Sequence, residues 1–428
     1  MTDRPLTVGL LGCGIVGSGV VRLLIDHASE IEGRVGAPVR VGPVAVRTLS
    51  RDRDVAVDRL TDDPAEVVED PDVDVVVEVM GGIEPARTLI RTALGRGASV
   101  VTANKELIAT LGPELFKLAD EQGARLEYEA AVAGGIPIIK PLRESLAGDR
   151  VEKVLGILNG TTNYILTRMT ERGMAFGDAL AEAQQLGYAE RDPTTDVEGY
   201  DAASKAAILA SLAFDAEVVA GDVAREGITS VTATDIDHAR RMGYVIKLLA
   251  IAEELAGQVG VRVHPALIPR EHPLASVRES FNAVFVVGRA SGDLMFYGRG
   301  AGSMPTASAV VGDIVTVARA LRAGERPRNG QAAVRKPIQP FDDVVVQYYV
   351  LLDVADQAGV LAAVARTFGD HDVSIKSVWQ EGTGDHAQLL LITHAAREGA
   401  LQATLSGLRG LPVVRDVASV MRVEGGEA

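Results

Sequence analysis

Two charged residues spaced one helical turn apart, Asp201 and Lys205, carry the most suggestive chemistry in the chain. They lie in residues 187–212, GYAERDPTTDVEGYDAASKAAILASL, which open as a polar loop with Glu190, Asp192, Asp196 and Glu198 and then become Ala-rich. At roughly 100° per residue, Asp201, Lys205, Ile208, Leu209 and Leu212 share one helix face. A lysine inside an apolar stripe is partly desolvated, and a carboxylate one turn earlier fixes its direction. That combination suits a proton donor working near neutral pH. The competing reading is an Asp–Lys pair on a surface helix, with the ammonium reaching out to water.

The elements that must position these residues begin at the N-terminus. Residues 6–11, LTVGLL, read as a short buried strand, followed by Gly12-Cys13-Gly14-Ile15-Val16-Gly17 and an apolar-periodic helix through Val20, Val21, Leu23 and Leu24. Strand, glycine turn and helix form the context that a dinucleotide-binding G-x-G-x-x-G requires. The first glycine makes the tight turn, the second admits a pyrophosphate to the backbone, and the third lets helix and strand pack closely. The phosphates then rest on free N–H groups at the helix N-terminus. A second strand, 39–46, ends in Arg47, with Arg51 and Arg53 close behind and no acid at its tip. An acid there would bind the ribose 2′-hydroxyl of NAD, whereas an arginine accommodates the 2′-phosphate of NADP. NADP(H) is therefore the preferred cofactor and NAD(H) the alternative.

Further strands at 73–79, 98–102 and 125–130 and helices at 84–96 and 112–122 complete a doubly wound parallel unit. Met80-Gly81-Gly82 and Lys105 fall beyond strand ends, where open parallel sheets bind ligands. A strand at 151–158 runs into Asn159-Gly160-Thr161-Thr162-Asn163, a turn with several N-cap residues. Strands near 259–268 and 283–289 indicate an α+β domain. GRGAGSMPT, 298–306, is a second glycine-rich turn before a helix at 307–321. Backbone so bare signals close approach to a ligand or to another chain segment. Polar, Gly/Pro-containing residues 322–340 read as a linker. Beyond it, the order β-α-β-β-α-β over 344–423 is ferredoxin-like.

Composition bounds the rest. A chain of 428 residues makes two or three domains. Its net charge of −15 argues against nucleic acid or an anionic membrane as partner. The single cysteine, Cys13, excludes an internal disulfide and fits a reducing compartment. The N-terminus lacks the basic flank and cleavage site of a signal peptide, and no uninterrupted apolar run is long enough to span a bilayer. A cytoplasmic protein is expected. Seven scattered histidines show no pair at helical ligand spacing, which disfavours a zinc or other transition-metal site.

GLLGCGIVGSG, VVVEVMGG, VTANKELI, NGTTNYIL, GYAERDPTTDVEGYDAASK and YGRGAGSMPTASAVVGDI together resemble homoserine dehydrogenase of the monofunctional form, and the unit from about Val346 resembles an ACT domain. The resemblance implies an α/β protein in three parts: a Rossmann-type NAD(P)-binding domain at 1–135, an α+β catalytic and dimerisation domain at 136–321, and, after a linker at 322–343, a ferredoxin-like ACT domain at 344–428. Residues 300–321 are expected to pack back on the nucleotide domain. The implied reaction is reversible reduction of L-aspartate 4-semialdehyde to L-homoserine, in threonine, methionine and isoleucine biosynthesis. Lys205 falls at the proton-donor position and Lys105 beside nicotinamide and substrate. Glu190, Asp201 and Gly187 fall at substrate positions. The cofactor set is Gly12, Gly14, Ile15, Val16, Gly17, Arg47, Lys105 and Gly302. A monovalent cation, Na+, is implied on main-chain oxygens of Glu129, Val132, Gly134 and Ile136. The ACT-like turn at 354–361, with Ala358 where proline is common and Gly359 retained, implies L-threonine as effector, and a homodimer or homotetramer is implied.

Two other classes compete. Phosphorylating aldehyde dehydrogenases pair similar domains but need a cysteine nucleophile in the second one, and Cys13 sits in the cofactor turn. A non-catalytic regulator that senses NADP and an amino acid would not depend on Lys205.

Overall fold

The computed structural model describes residues 4–325, 336–384 and 387–425. The chain divides into two compact units, Met1–Val154 with Ser204–Val223 and Asn282–Lys336, and Leu155–Ala203 with Ala224–Phe281 and Pro337–Ala428. Much of the expected linker, residues 326–335, lies outside the described residues.

The first unit holds strands β1 (Leu6–Leu11), β2 (Val39–Ala45), β3 (Leu60–Thr61), β4 (Val75–Glu78), β5 (Ser99–Thr102) and β6 (Leu126–Glu127). They lie in the order β3-β2-β1-β4-β5-β6, each pair parallel. Strand order reverses between β1 and β4, the point at which a doubly wound sheet opens a crevice at its carboxyl ends. Val8, Leu10, Val75 and Val77 are fully buried, as a sheet covered on both faces requires. Helix Ser303–Ala323 contributes Ala307, Val310, Ile314 and Val317 to the same core as Val20 and Val21 of helix Ile15–Asp26. The two helices cross closely: a Cβ at Gly19 would fall 2.9 Å from that of Ala307. Ser303–Ala323 is long and apolar enough to cross a membrane by length and composition alone. Its apolar face is occupied here by the core.

Three sequence expectations change. The helix expected at 112–122 begins at Lys105 and runs through Pro113 to Gln122. The strand expected at 125–130 is short and yields at Glu129–Ala131 to a single tight turn. The helix expected from 307 starts at Ser303, with Gly302 as its N-cap at φ +123°, a conformation suited to glycine.

Strand β7 (Val151–Ile157) leads from the first unit into the second. The second unit contains β8 (Ala224–Arg225), β9 (Tyr244–Leu255) and β10 (Gln258–Pro269). Strands β11 (Phe281–Gly288) and β12 (Gly292–Arg299) return to the first, where β12, β11 and β7 are successive neighbours. The C-terminal part comprises β13 (Val345–Val354), helix Val360–Asp370, β14 (Ile375–Glu381), β15 (Gln388–Thr393), a short β16 (Ala396–Arg397), helix Glu398–Arg409 and β17 (Val414–Val423). Its order β17-β13-β15-β14 is the ferredoxin-like arrangement. Tyr348, Val350 and Leu352 alternate on one face of β13 and pack with Val364, Phe368, Leu401 and Leu405 from the two helices. Strand β17 also pairs in parallel with β10, Ala266 opposite Arg422.

Candidate active site

In the first unit the glycine turn follows β1 directly. Gly12 has φ +103°, and a Cβ on Gly17 would lie 2.2 Å from the Gly12 carbonyl, so both positions require glycine. At Gly14 a Cβ would meet nothing within 4 Å; the turn opens to solvent there. Helix Ile15–Asp26 starts with no side-chain cap and no acid in its first turn, leaving its N–H groups to attract an anion. This geometry fits a dinucleotide pyrophosphate. Ser303 donates its hydroxyl to the Ile15 carbonyl at 2.8 Å, bringing the second glycine turn, with Gly302, to the first. Arg47 stands exposed just past β2. Arg53 instead folds back onto the carbonyls of Arg51 and Thr48.

Glu78, at the end of β4, is fully buried and accepts the N–H groups of Met80 at 2.8 Å and Gly81 at 2.9 Å, and the Thr102 hydroxyl at 2.7 Å. Asn104 caps helix Lys105–Gln122 by accepting from Leu107 N–H at 3.1 Å and donates to the Gly82 carbonyl at 2.6 Å. These two residues lock together the ends of β4 and β5 and place Lys105 at the first helical position. Sequence reasoning passed over both. The available signal was one acid inside an otherwise apolar VVVEV strand.

The loop at 129–136 is organised by carboxylates. Glu129 is buried and accepts N–H bonds from Ile138 at 2.6 Å, Ile139 at 2.7 Å and Lys140 at 2.9 Å. Its own N–H donates to Asp313 at 2.8 Å, and Asp313 pairs with the Lys140 ammonium at 2.7 Å. Burial pushes the Asp313 carboxyl up to about 7. The Glu129 side chain is thus committed to main-chain donors, and a cation here would be held by carbonyl oxygens. Ala133 and Gly134 adopt φ of +55° and +56°, and a Cβ on Gly134 would strike the Gly300 carbonyl at 2.4 Å. Close approach by the second glycine run is thereby explained in part by chain against chain.

In the second unit Asn159 lies two residues past β7 and caps helix Gly160–Arg172, accepting from Thr162 N–H at 2.9 Å. Its amide nitrogen donates to Asp196 at 2.7 Å and to Asp201 at 2.9 Å, so one side chain joins two carboxylates from a distant segment. Thr161 donates to the Tyr188 carbonyl at 2.7 Å, fixing the 187–190 turn, where Gly187 has φ +77°. The other acids have separate duties. Asp192 accepts from the backbone and hydroxyl of Thr194, which hold its carboxyl below the usual range. Glu198 accepts from Thr229. Glu190 and Gly187 are exposed.

Asp201 and Lys205 do lie one turn apart on a helix, Tyr200–Ala213, and both are buried, at 4% and 8% exposure. The expected apolar stripe is corrected: from Asp201 to Ala210 only Ser204 is not buried, so this helix is enclosed almost all round. The reading of a surface helix with its lysine in water fails on that burial. Cys13 is also buried, 3.5 Å from the Ser18 hydroxyl within the cofactor turn.

With these features in place, comparison with known proteins is decisive. The chain is 51% identical to homoserine dehydrogenase of Mycobacterium tuberculosis over 99% of its own length and 98% of that protein's. The chain belongs to the homoserine dehydrogenase family. The homoserine dehydrogenase family model matches residues 137–315, the model for homoserine dehydrogenase, NAD binding domain, matches 12–129, and the ACT domain model matches 348–412. The homoserine dehydrogenase of Corynebacterium glutamicum is 48% identical, covering 97% of this chain and 95% of that one. The crystal structure of a homoserine dehydrogenase from Thiobacillus denitrificans superposes with a TM-score of 0.95 at 43% identity, over 99% of both chains. As a member of this family the chain is an oxidoreductase with a nicotinamide cofactor domain, a catalytic domain and an ACT domain.

Proposed function

We propose that the protein reversibly reduces L-aspartate 4-semialdehyde to L-homoserine with NADPH in preference to NADH, in the cytoplasm, as a step toward threonine, methionine and isoleucine. The observation that carries this reading is the buried helix in which Lys205 follows Asp201 by one turn, with Asp201 tied through Asn159 to Asp196. The two carboxylates supply negative charge of the kind that a substrate ammonium requires. Asp201, with Glu190 and the Gly187 turn, binds the amino-acid end of the substrate. Lys205, stripped of bulk water, gives the proton that the developing alkoxide requires. The bound cofactor supplies hydride to the aldehyde carbon. Lys105, at the first helical position beyond β5, is assigned to nicotinamide and substrate, since open parallel sheets bind ligands past their carboxyl ends.

Gly12, Gly14, Ile15, Val16 and Gly17 cradle the pyrophosphate, Gly302 closes over it, and Arg47 meets a 2′-phosphate. A hyperthermophilic archaeal homoserine dehydrogenase in complex with NADPH, 29% identical over 73% of this chain with a TM-score of 0.61, supports that choice. Main-chain oxygens of Glu129, Val132, Gly134 and Ile136 suit a hard monovalent cation such as Na+, because the nearby carboxylate is consumed by N–H donors. L-Threonine binds the ACT domain at the uncapped helix beginning after Gly359, whose φ is +90° and whose first turn carries no acid. The functional divisions are 1–135, 136–321 and 344–428, in a homodimer or homotetramer.

The test is initial rate with aspartate semialdehyde and either NADPH or NADH, for wild type and Lys205→Ala together. A loss of about 10²-fold or more in kcat with cofactor affinity retained is expected. A variant as active as wild type overturns the assignment of Lys205.

A further inference from the structure

Besides Asn159, a short segment, 224–229, holds the chain that leads into the helix carrying Asp201. Ile228 donates its N–H to the Val197 carbonyl at 2.8 Å, and the Thr229 hydroxyl donates to Glu198 at 3.0 Å. Arg225 donates to the Glu198 carbonyl at 2.9 Å, while its guanidinium lies 3.4 Å from the centre of the Tyr200 ring. Gly227 packs so tightly that a Cβ would fall 2.5 Å from the Val197 carbonyl. The corner at Gly199, with φ +79°, is therefore set from outside by this segment.

The segment is itself held on one side by β10 and on the other by the last strand of the ACT domain. Strand β8 pairs with β10, and Glu226 N–H donates to the Val263 carbonyl at 2.8 Å. The Glu226 carboxylate receives both ends of the Arg422 fork, each at 2.8 Å. Arg422, on β17, is 5% exposed and turns its other edge to Glu398 at 2.8 and 2.9 Å. Glu398 also accepts from the Tyr348 hydroxyl at 3.0 Å, and the Phe341 ring lies 4.8 Å from the guanidinium. A bidentate fork fixes direction as well as distance. Glu226 is half exposed, so the pair adds little to folding stability on its own.

We propose that Arg422 and Glu226 are positioning residues that act through Arg225 and the 197–200 corner to place Asp201, so that the ACT domain sets affinity for the amino-acid aldehyde. This rests on the assignment of Asp201 to the substrate. No bond is made or broken in this step; a change at β17 is passed mechanically along one ion pair and one cation–aromatic contact.

The test uses the full-length protein. Glu226→Ala should raise KM for the semialdehyde about 5- to 20-fold, with kcat and KM for NADPH within about two-fold of wild type. Arg225→Ala should act in the same direction. The double variant should be no worse than the more affected single one, because both remove links of one chain. Arg422→Lys keeps the charge but loses the fork and should resemble Glu226→Ala. Asp201→Asn serves as reference. If it leaves KM for the semialdehyde unmoved, the substrate assignment fails. If it raises that KM while Glu226→Ala and Arg225→Ala do not, the positioning role alone is overturned. A Glu226→Ala protein in which both KM values and the melting temperature change together marks a merely structural pair and also overturns it.

Discussion

Ser303 and Ile15 are 288 positions apart in sequence, yet a 2.8 Å hydrogen bond from hydroxyl to carbonyl joins them. The bond pins the start of the returning helix against the cofactor turn. Ser303→Ala removes one hydrogen bond, worth about 1 kcal/mol, or roughly five-fold in affinity. Fluorescence titration with NADPH should show that weakening, while KM for the semialdehyde stays near wild type. Equal binding by the two proteins would show that the turn closes without this tie.

Asn159 performs two tasks that substitution can separate. Asn159→Ala loses both the helix cap and the bridge between Asp196 and Asp201; melting should fall by about 1 kcal/mol of cap energy and KM for the semialdehyde should rise. Asn159→Asp can still accept from Thr162, so its cap survives, but it sets a third carboxylate against the other two. It should keep more stability than the alanine variant and still bind substrate poorly. A normal KM in both would dissociate the carboxylate pair from substrate binding.

Arg47, exposed past β2, is the residue proposed to meet a 2′-phosphate. Arg47→Glu places a like charge against that phosphate, and kcat/KM with NADPH should drop by about ten-fold or more while the value with NADH holds or improves. An unchanged ratio between the two cofactors would assign the preference to other residues.

Lys247 is buried and donates to the Asn163 side chain at 2.9 Å and to the Val277 carbonyl. Burial lowers its ammonium from 10.5 to about 8. Its folded pKa therefore lies below the unfolded one, and between these values the unfolded chain binds the extra proton. Its contribution to stability rises with pH across that window, by on the order of 3 kcal/mol at full extent. The urea midpoint of wild type should gain more between pH 7.5 and 9.5 than that of Lys247→Met. The same gain in both proteins would remove Lys247 as its source.

Much of the scaffold was readable because it rests on local rules. The strand–glycine–helix at 6–26 and the β-α-β-β-α-β order after 344 follow from periodicity and turn chemistry. Boundaries were less secure. The helix expected at 112–122 begins at Lys105 because Asn104 caps it there. The placement of Asp201 and Lys205 one turn apart was visible from their four-residue spacing, but the burial of the surrounding helix was not, since that depends on which elements enclose it. The amide of Asn159 and the carboxylate of Glu78 act on residues brought near by tertiary structure, 37 and 42 positions away for the first and 24 for the second. No local pattern encodes such contacts.

Arg262, on β10, has 1% of its surface exposed and is neutralised by Glu253 and by Glu424, a residue four from the C-terminus. A chain shortened to end at Lys336 would keep that cation while deleting one of its counter-charges, and would bare the β10 ladder that β17 covers. The ACT domain is therefore no detachable appendage: its last strand and the residue after it share a buried ion pair and two ladder positions with β10.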